Sequence, residues 1–368
     1  MEFKIGKKTV GDGHPTYVIA EAGSNHNGRL DLAKKLIGVA ADAGADAVKF
    51  QVFRADKLYV PTAGTADYLK TKKSVYDIIK EMEMPYGWLG ELIDCSRDNG
   101  IDFLASAFDE ESADALDRAG VPAFKIASYE LNHVPLIEHV AKKGKPMIMS
   151  AAGFATYGEI EDAIGACRKH GNGKVALMHC VAKYPAPLEH SNLLVIRTLK
   201  QAFGVPAGWS DHTADPVKAP ELAVMLGANL VEKHFTLDRS MPGPDHKYAL
   251  EPRGLKEMVG AVRRAEKTGA KERERRLREK SALKILGSPV KRVTPVEEEL
   301  YRFAKRYIYA IEDIRKGERI SAANVRALRP GKNPPGLAPK FMPLVIGRKA
   351  ASLIRKYSPL TLYSLLQD

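Results

Sequence analysis

A closed (β/α)8 TIM barrel followed by a small C-terminal β-rich domain is the architecture this sequence predicts, on three observations. Short apolar runs alternate with amphipathic helical stretches through the first 270 or so residues. The alternation repeats eight times, which favours closure into a barrel over an open, doubly wound sheet. No Gly-rich dinucleotide fingerprint follows the first run, which argues the same way.

In chain order the strands are YVIAEAG, DAVKFQV, DFLASAF, AFKIAS, PMIMSA, VALMHCV, PAGWSD and NLVEKHF. Helical candidates between them include RLDLAKKLIGVAADAG, EESADALDRAG, YGEIEDAIGACRKHG and PVKAPELAVMLG. Several close on Gly, the usual residue past a helix C-terminus. The rhythm breaks once, where roughly thirty residues separate KFQVF from the helix near Trp88. This 54–80 loop would lie over the barrel mouth as a lid or serve as a packing insertion, and its residues do not decide between them. After the eighth strand, RRAEKTGAKERERRLREK from Arg263 interleaves Glu with Arg and Lys at helical spacing and reads as one solvated helix. The Pro-punctuated LGSPVKRVTPVEEE then reads as a linker. The expected division is therefore a barrel over 1–282, a linker over 283–300 and a compact unit over 301–368. That last unit, under 70 residues, has a marginal core and is expected to lean on something else.

The totals exclude several classes of protein. An apolar fraction of 45% with 28% charged residues is ordinary globular composition, not that of a disordered chain. The chain has no run of 18 or more apolar residues, and its N-terminus lacks the apolar core of a signal peptide. Cys95, Cys167 and Cys180 are too scattered for a disulfide framework or a zinc pattern. A soluble cytoplasmic protein without membrane contact is expected. The net charge of +12 invites nucleic acid as a partner, but the basic stretch is charge-paired and no RNA-binding signature accompanies it. An anionic small-molecule substrate accounts for a basic protein equally well.

The C-terminal ends of the strands are polar where a buried strand should be apolar. They carry Glu21, Lys49, Gln51, Ser106, Lys125, Ser128, Glu130, Ser150, Tyr184, Ser210, Asp211, His212, Glu232 and His234. In a (β/α)8 barrel these ends converge on one mouth, where catalysis sits. Two lysines in apolar strands are costly without anions nearby. With Ser106, Ser128, Ser150 and Ser210 they make a cradle for phosphate and carboxylate. His212 and His234 end neighbouring strands, as a divalent transition-metal site requires, although each alone also reads as a hydrogen-bonded structural histidine or a general base. A site with only two protein ligands leaves positions for water and substrate, which suits a Lewis acid. Glu21 and Asp245 are candidates for handling water, protons or substrate hydroxyls, and His26 and His179 stay open between structural and functional roles.

Taken together, IAEAGSNHNG, KFQ, FKIAS, HCVAKYPAP, SDHT, EKHFTLDRSMPGPDH and RPG resemble the N-acetylneuraminate (sialic acid) synthase family in order and spacing over nearly the whole chain. That family also includes pseudaminic and legionaminic acid synthases and spore-coat proteins. The resemblance implies a barrel fused to an antifreeze-like (SAF) domain, and condensation of phosphoenolpyruvate with an N-acetylated aldose to a nine-carbon 2-keto acid and phosphate. It places the metal on His212 and His234, with manganese first and magnesium or cobalt as alternatives. It places phosphoenolpyruvate on Lys49, Ser106, Lys125, Ser128, Ser150 and Ser210, and the amino sugar on Glu130, Tyr184, Asp245 and Arg329, with Glu21 and Gln51 lining the same site. It further implies a domain-swapped homodimer in which Arg329 completes the partner's site. Two departures bear on the substrate: Ala182 stands where a polar residue is common, with Lys183 beside it as a replacement or a contact to a phosphorylated sugar, and Tyr129 adds a ring before Glu130. The rival readings are a condensing barrel acting on a sugar phosphate, which would lack the RPG domain, and a non-catalytic polysaccharide-assembly protein.

Overall fold

The computed structural model describes residues 1–69 and 71–365; Lys70, within the expected 54–80 loop, and 366–368, at the end of the expected small domain, lie outside the described residues. A hairpin of β1 (Glu2–Ile5) and β2 (Lys8–Gly11) comes first. Eight parallel strands follow: β3 (Tyr17–Gly23), β4 (Ala47–Val52), β5 (Asp102–Ala107), β6 (Phe124–Ile126), β7 (Met147–Ala152), β8 (Val175–Cys180), β9 (Ala207–Asp211) and β10 (Leu230–His234). They form a closed barrel in which β10 pairs with β3, setting His234 opposite Glu21. The small domain contributes β11 (Tyr307–Ala310) and β12 (Val325–Leu328), an antiparallel pair.

The period of two along each strand separates core from chemistry. Ile19, Ala47, Leu104, Ala123, Ile148, Met178 and Leu230 pack inside the lower barrel, sealed from beneath by Phe3, Ile5 and Val10 of the hairpin. Two residues further along the same faces come Glu21, Lys49, Ser106, Lys125, Ser150, Cys180 and Glu232, so the filling changes from apolar to charged within one layer. Alternate residues such as Val18, Val48, Phe50 and Val231 face the helical ring. At Gly208 a Cβ would meet Leu230 O at 2.2 Å, so β9 and β10 approach this closely only because that residue is glycine.

Two sequence expectations are modified. The basic stretch is two helices, Pro252–Glu266 and Ala270–Leu277, parted before Gly269. The second buries no residue, yet Arg276 binds Glu221 of the helix Lys218–Met225 at 2.7 and 2.6 Å and so ties it to the barrel. The segment 283–300 is ordered at both ends: Ile285 and Leu286 belong to the barrel core, and a helix already begins at Glu298. Between them the connector is pinned to the barrel mouth, with Lys291 donating to Ala152 O and Glu297 accepting from Gly153 N at 2.9 Å.

In this chain the small domain closes over its own barrel. Arg329 lies against Glu130 of the same chain. The 54–80 segment holds it there, with Arg329 N donating to Leu58 O at 2.9 Å, Val60 N to Arg329 O at 3.1 Å and Lys332 N to Ala63 O at 2.9 Å. No helix among the described residues is long and apolar enough to cross a membrane.

Candidate active site

At the C-terminal end of the barrel lies a cavity of about 450 Å³, lined by Glu21, Lys49, Gln51, Ser106, Lys125, Ser128, Ser150, Tyr184, Ser210, His212, Glu232 and His234. All twelve were marked as polar residues at the strand ends. Their charges are arranged as a buried alternating array. Lys49 Nζ sits 2.7 Å from Glu21 Oε2, 3.6 Å from Glu232 and 3.2 Å from Ser106 Oγ. Lys125 Nζ reaches both oxygens of Glu232, at 2.9 and 2.7 Å, and Ser210 Oγ donates to the same carboxylate at 3.1 Å. Gln51 Nε2 donates to Glu21 Oε1 at 2.9 Å.

Burial and pairing set the protonation of this array. Burial pushes the Lys125 ammonium below its usual range. Burial also opposes the charge on Lys49, but Glu21 and Glu232 outweigh it and hold that ammonium above its usual range. Glu232, ionised against its burial by Lys125 and Lys49, is brought down to about 2, whereas burial wins at Glu21 and raises it. Two lysines and two carboxylates nearly cancel, so a multiply charged anion entering here calls for further positive charge.

The histidine pair stands where that charge would go. His212 Nδ1 donates to Val181 O at 2.5 Å, which leaves Nε2 with its lone pair free of that bond. The His212 and His234 rings are 5.8 Å apart between centroids, and burial holds them neutral, at about 3 and about 4. Asp245 lies 3.8 Å from His234. Among the described residues no three His, Cys, Asp or Glu side chains converge as a self-sufficient metal site. The donor set is thus two neutral imidazoles in an electroneutral cavity, which fits a divalent cation with open positions.

Outside this chamber, and sharing Gln51, Tyr129, Tyr184 and His234 with it, is a second cavity of about 880 Å³ that also takes in Asp245 and Arg329. Its wall is largely apolar, with Phe53, Leu58, Leu69, Val75, Ile78, Ile79 and Met82 from the stretch after β4 and Leu300 and Ala304 from the helix Glu298–Ala304. Arg329 stacks 4.8 Å from the Tyr129 ring centroid.

A sequence-family model described as the NeuB family matches residues 36–274, and an SAF-domain model matches residues 305–365. The chain belongs to the NeuB family.

Its relatives match along nearly their whole length. The spore coat polysaccharide biosynthesis protein SpsE of Bacillus subtilis is 47% identical over 345 residues, 93% of this chain and 91% of that protein. The N,N'-diacetyllegionaminic acid synthase of Campylobacter jejuni is 39% identical, over 86% of this chain and 90% of its own. A crystal structure of the Bacillus subtilis SpsE superposes with a TM-score of 0.88 at 44% identity, covering 100% of both chains. This chain is an enzyme of the family's acid-synthase kind.

Within this NeuB-family site, Glu130 meets two arginines, and two charged residues, Arg306 and Lys233, were missed. Glu130, expected on the sugar, is fully buried, and its carboxylate is taken by Arg329 at 2.7 Å and by Arg306 at 3.1 Å. Arg306 was not foreseen; it also donates to Lys57 O, Ala327 O and Phe108 O, joining the 54–80 segment, small domain and barrel. Nothing local in KRYIYA marks it, since only the long-range fold brings those carbonyls together. Lys233 was likewise missed, although it lies between Glu232 and His234. Facing away from the cavity, it binds Asp211 at 2.5 Å and Thr213 O and Asp215 O at 2.8 Å, which fixes the loop carrying His212. Lys183 lies 3.9 Å from Glu299 of the helix Glu298–Ala304. His26, edge-on to Trp88, and His179, bound to Ser191 O, take structural places.

Two predictions arise here. Burial holds His26 at about 4 and His179 at about 3, like the site pair, so the unfolded chain takes up protons that the folded one refuses. Stability is expected in full above about pH 6.5 and to fall as pH drops towards 4, so Tm should be clearly lower at pH 5 than at pH 7. A flat Tm over that interval would contradict it. Because Arg329 meets its own barrel, mixing Arg329→Ala chains with His212→Ala chains is expected to recover no activity. Recovery from two inactive parents would show the small domain crossing between chains.

Proposed function

We propose that this enzyme condenses phosphoenolpyruvate with an N-acylated aldose, giving a nine-carbon 2-keto acid and inorganic phosphate. The observation that carries the reading is the inner cavity, where two buried lysines and four serines ring one small volume beside two neutral histidines. Lys49 and Lys125 hold the phosphate and carboxylate as point charges, and Ser106, Ser128, Ser150 and Ser210 donate to their oxygens. A divalent cation, manganese in the first instance, would be held by His212 and His234 and would polarise the open-chain aldehyde as a Lewis acid. C3 of phosphoenolpyruvate attacks that carbon, water adds at C2, and C–O cleavage releases phosphate. Glu21, whose carboxyl is raised by burial and lies beside Lys49, is placed to pass protons during water addition.

The outer cavity receives the sugar, with Tyr184, Asp245 and Arg329 on its rim. Its many apolar side chains favour an acceptor bearing acyl or other apolar substituents over one whose every carbon carries a hydroxyl, because unpaired hydroxyls there would be desolvated. The resemblance implies a homodimer with exchanged small domains, working in the cytoplasm, and in the single chain Arg329 reaches its own barrel's site. The deciding experiment measures phosphate released from phosphoenolpyruvate with Mn²⁺ and a panel of N-acetylated, diacylated and phosphorylated hexoses. Release dependent on one N-acylated sugar supports the reading, and no release with any of them would refute it.

A further inference from the structure

The connector between the domains does more than span them. Glu297 is fully buried, and its Oε1 accepts two backbone donors from the barrel, Gly153 N at 2.9 Å and Ala182 N at 3.0 Å. Its Oε2 accepts from Thr294 N at 3.1 Å and Thr294 Oγ1 at 2.8 Å, so all four bonds run towards the carboxylate. Gly153 follows β7, and Ala182 follows β8. The cavity residues Ser150, Cys180 and Ala182 sit on those same strand ends. The fit at Gly153 is specific to glycine, because a Cβ there would lie 2.1 Å from Glu297 Oε2. Lys291, also buried, donates to Ala152 O on the same strand end. Ala182 has no side-chain polar group, so the position of this wall depends on its backbone, and Glu297 is what holds that backbone.

We propose that Glu297 is a positioning residue of the active site. By fixing the ends of β7 and β8 from the connector, it sets the wall of the anion cavity and makes seating of the connector a condition for binding the anionic substrate. The proposal rests on the phosphoenolpyruvate reading above. One residue later begins the helix that supplies Leu300 and Ala304 to the outer cavity, so one anchor registers both chambers.

The test uses the full-length chain with Glu297→Gln, which keeps the volume but turns an acceptor oxygen into a donor facing other donors. Phosphoenolpyruvate binding by calorimetry, the KM for each substrate, and the rate of tryptic cleavage at Lys291 and Arg292 are measured together. The expected result is a rise of about tenfold in the Kd and KM for phosphoenolpyruvate, as for loss of hydrogen bonds to a charged group, with the sugar KM within about twofold. Thr294→Val, which removes only one bond to Oε2, should shift the same constants less and in the same direction; it serves if Glu297→Gln does not fold. Faster tryptic cleavage with unchanged phosphoenolpyruvate constants would mean a tether only and would overturn the proposal. Lys125→Met separates the two failures. If wild-type chain binds phosphoenolpyruvate and Lys125→Met does not, the substrate reading stands whatever Glu297 does. If wild-type chain binds none, that reading falls and this inference falls with it.

Discussion

Replacing His212 or His234 with alanine is expected to lower kcat/KM by about 10²–10³-fold, the usual size of losing a preorganised electrostatic contact to the transition state. Both side chains stand at the ends of rigid strands, β9 and β10, and both are neutral and buried. Kept neutral, each ring retains an unprotonated nitrogen whose lone pair a divalent cation can take. His212 is oriented by Val181 O, and its loop is clamped by Lys233, so the imidazole is presented rather than merely accommodated. Chelation by EDTA should mimic either substitution, and Mn²⁺ should restore only the wild-type chain. Circular dichroism and Tm should change little, since neither ring belongs to the apolar core. Full activity of a metal-free preparation would remove the histidines from the chemistry.

Lys125→Met is expected to be damaging twice over. Lys125 makes the two shortest contacts to Glu232, and its loss leaves that buried carboxylate with Ser210 and the more distant Lys49. Removing one partner of such a pair costs about 3–5 kcal/mol of stability, measurable by urea unfolding. Adding Glu232→Gln should recover most of that loss, because the uncompensated charge is then gone. Phosphoenolpyruvate binding should stay lost in the double variant, since the ammonium that meets the anion is still missing. Binding restored along with stability would show that Lys125 only balances Glu232.

The legible part of the site followed one rule. Polar residues at the C-terminal ends of apolar strands stand at a barrel's mouth, which marked Lys49, Lys125 and Glu232; in the structure each lies two places beyond an inward apolar residue, Ala47, Ala123 and Leu230, and so faces inward too. The rule has a limit at Glu130, Arg306 and Arg329. These lie in a short turn, in the run after the connector and in a loop of the small domain, so no periodicity orders them. Glu130 was matched to a sugar contact by resemblance; that two guanidiniums from a domain more than 170 residues away also reach its carboxylate is visible only in the fold.

The alternation of strands and helices, the eightfold repeat and the polar strand ends were thus determined by the sequence alone, because hydrophobic periodicity is a local property that backbone geometry converts directly into facing. What closes the site was decided only in three dimensions. Whether the small domain meets its own barrel depends on where a dozen connector residues find hydrogen-bond partners. Those partners are backbone N–H and C=O groups at Ala152, Gly153 and Ala182, which every sequence possesses and none advertises.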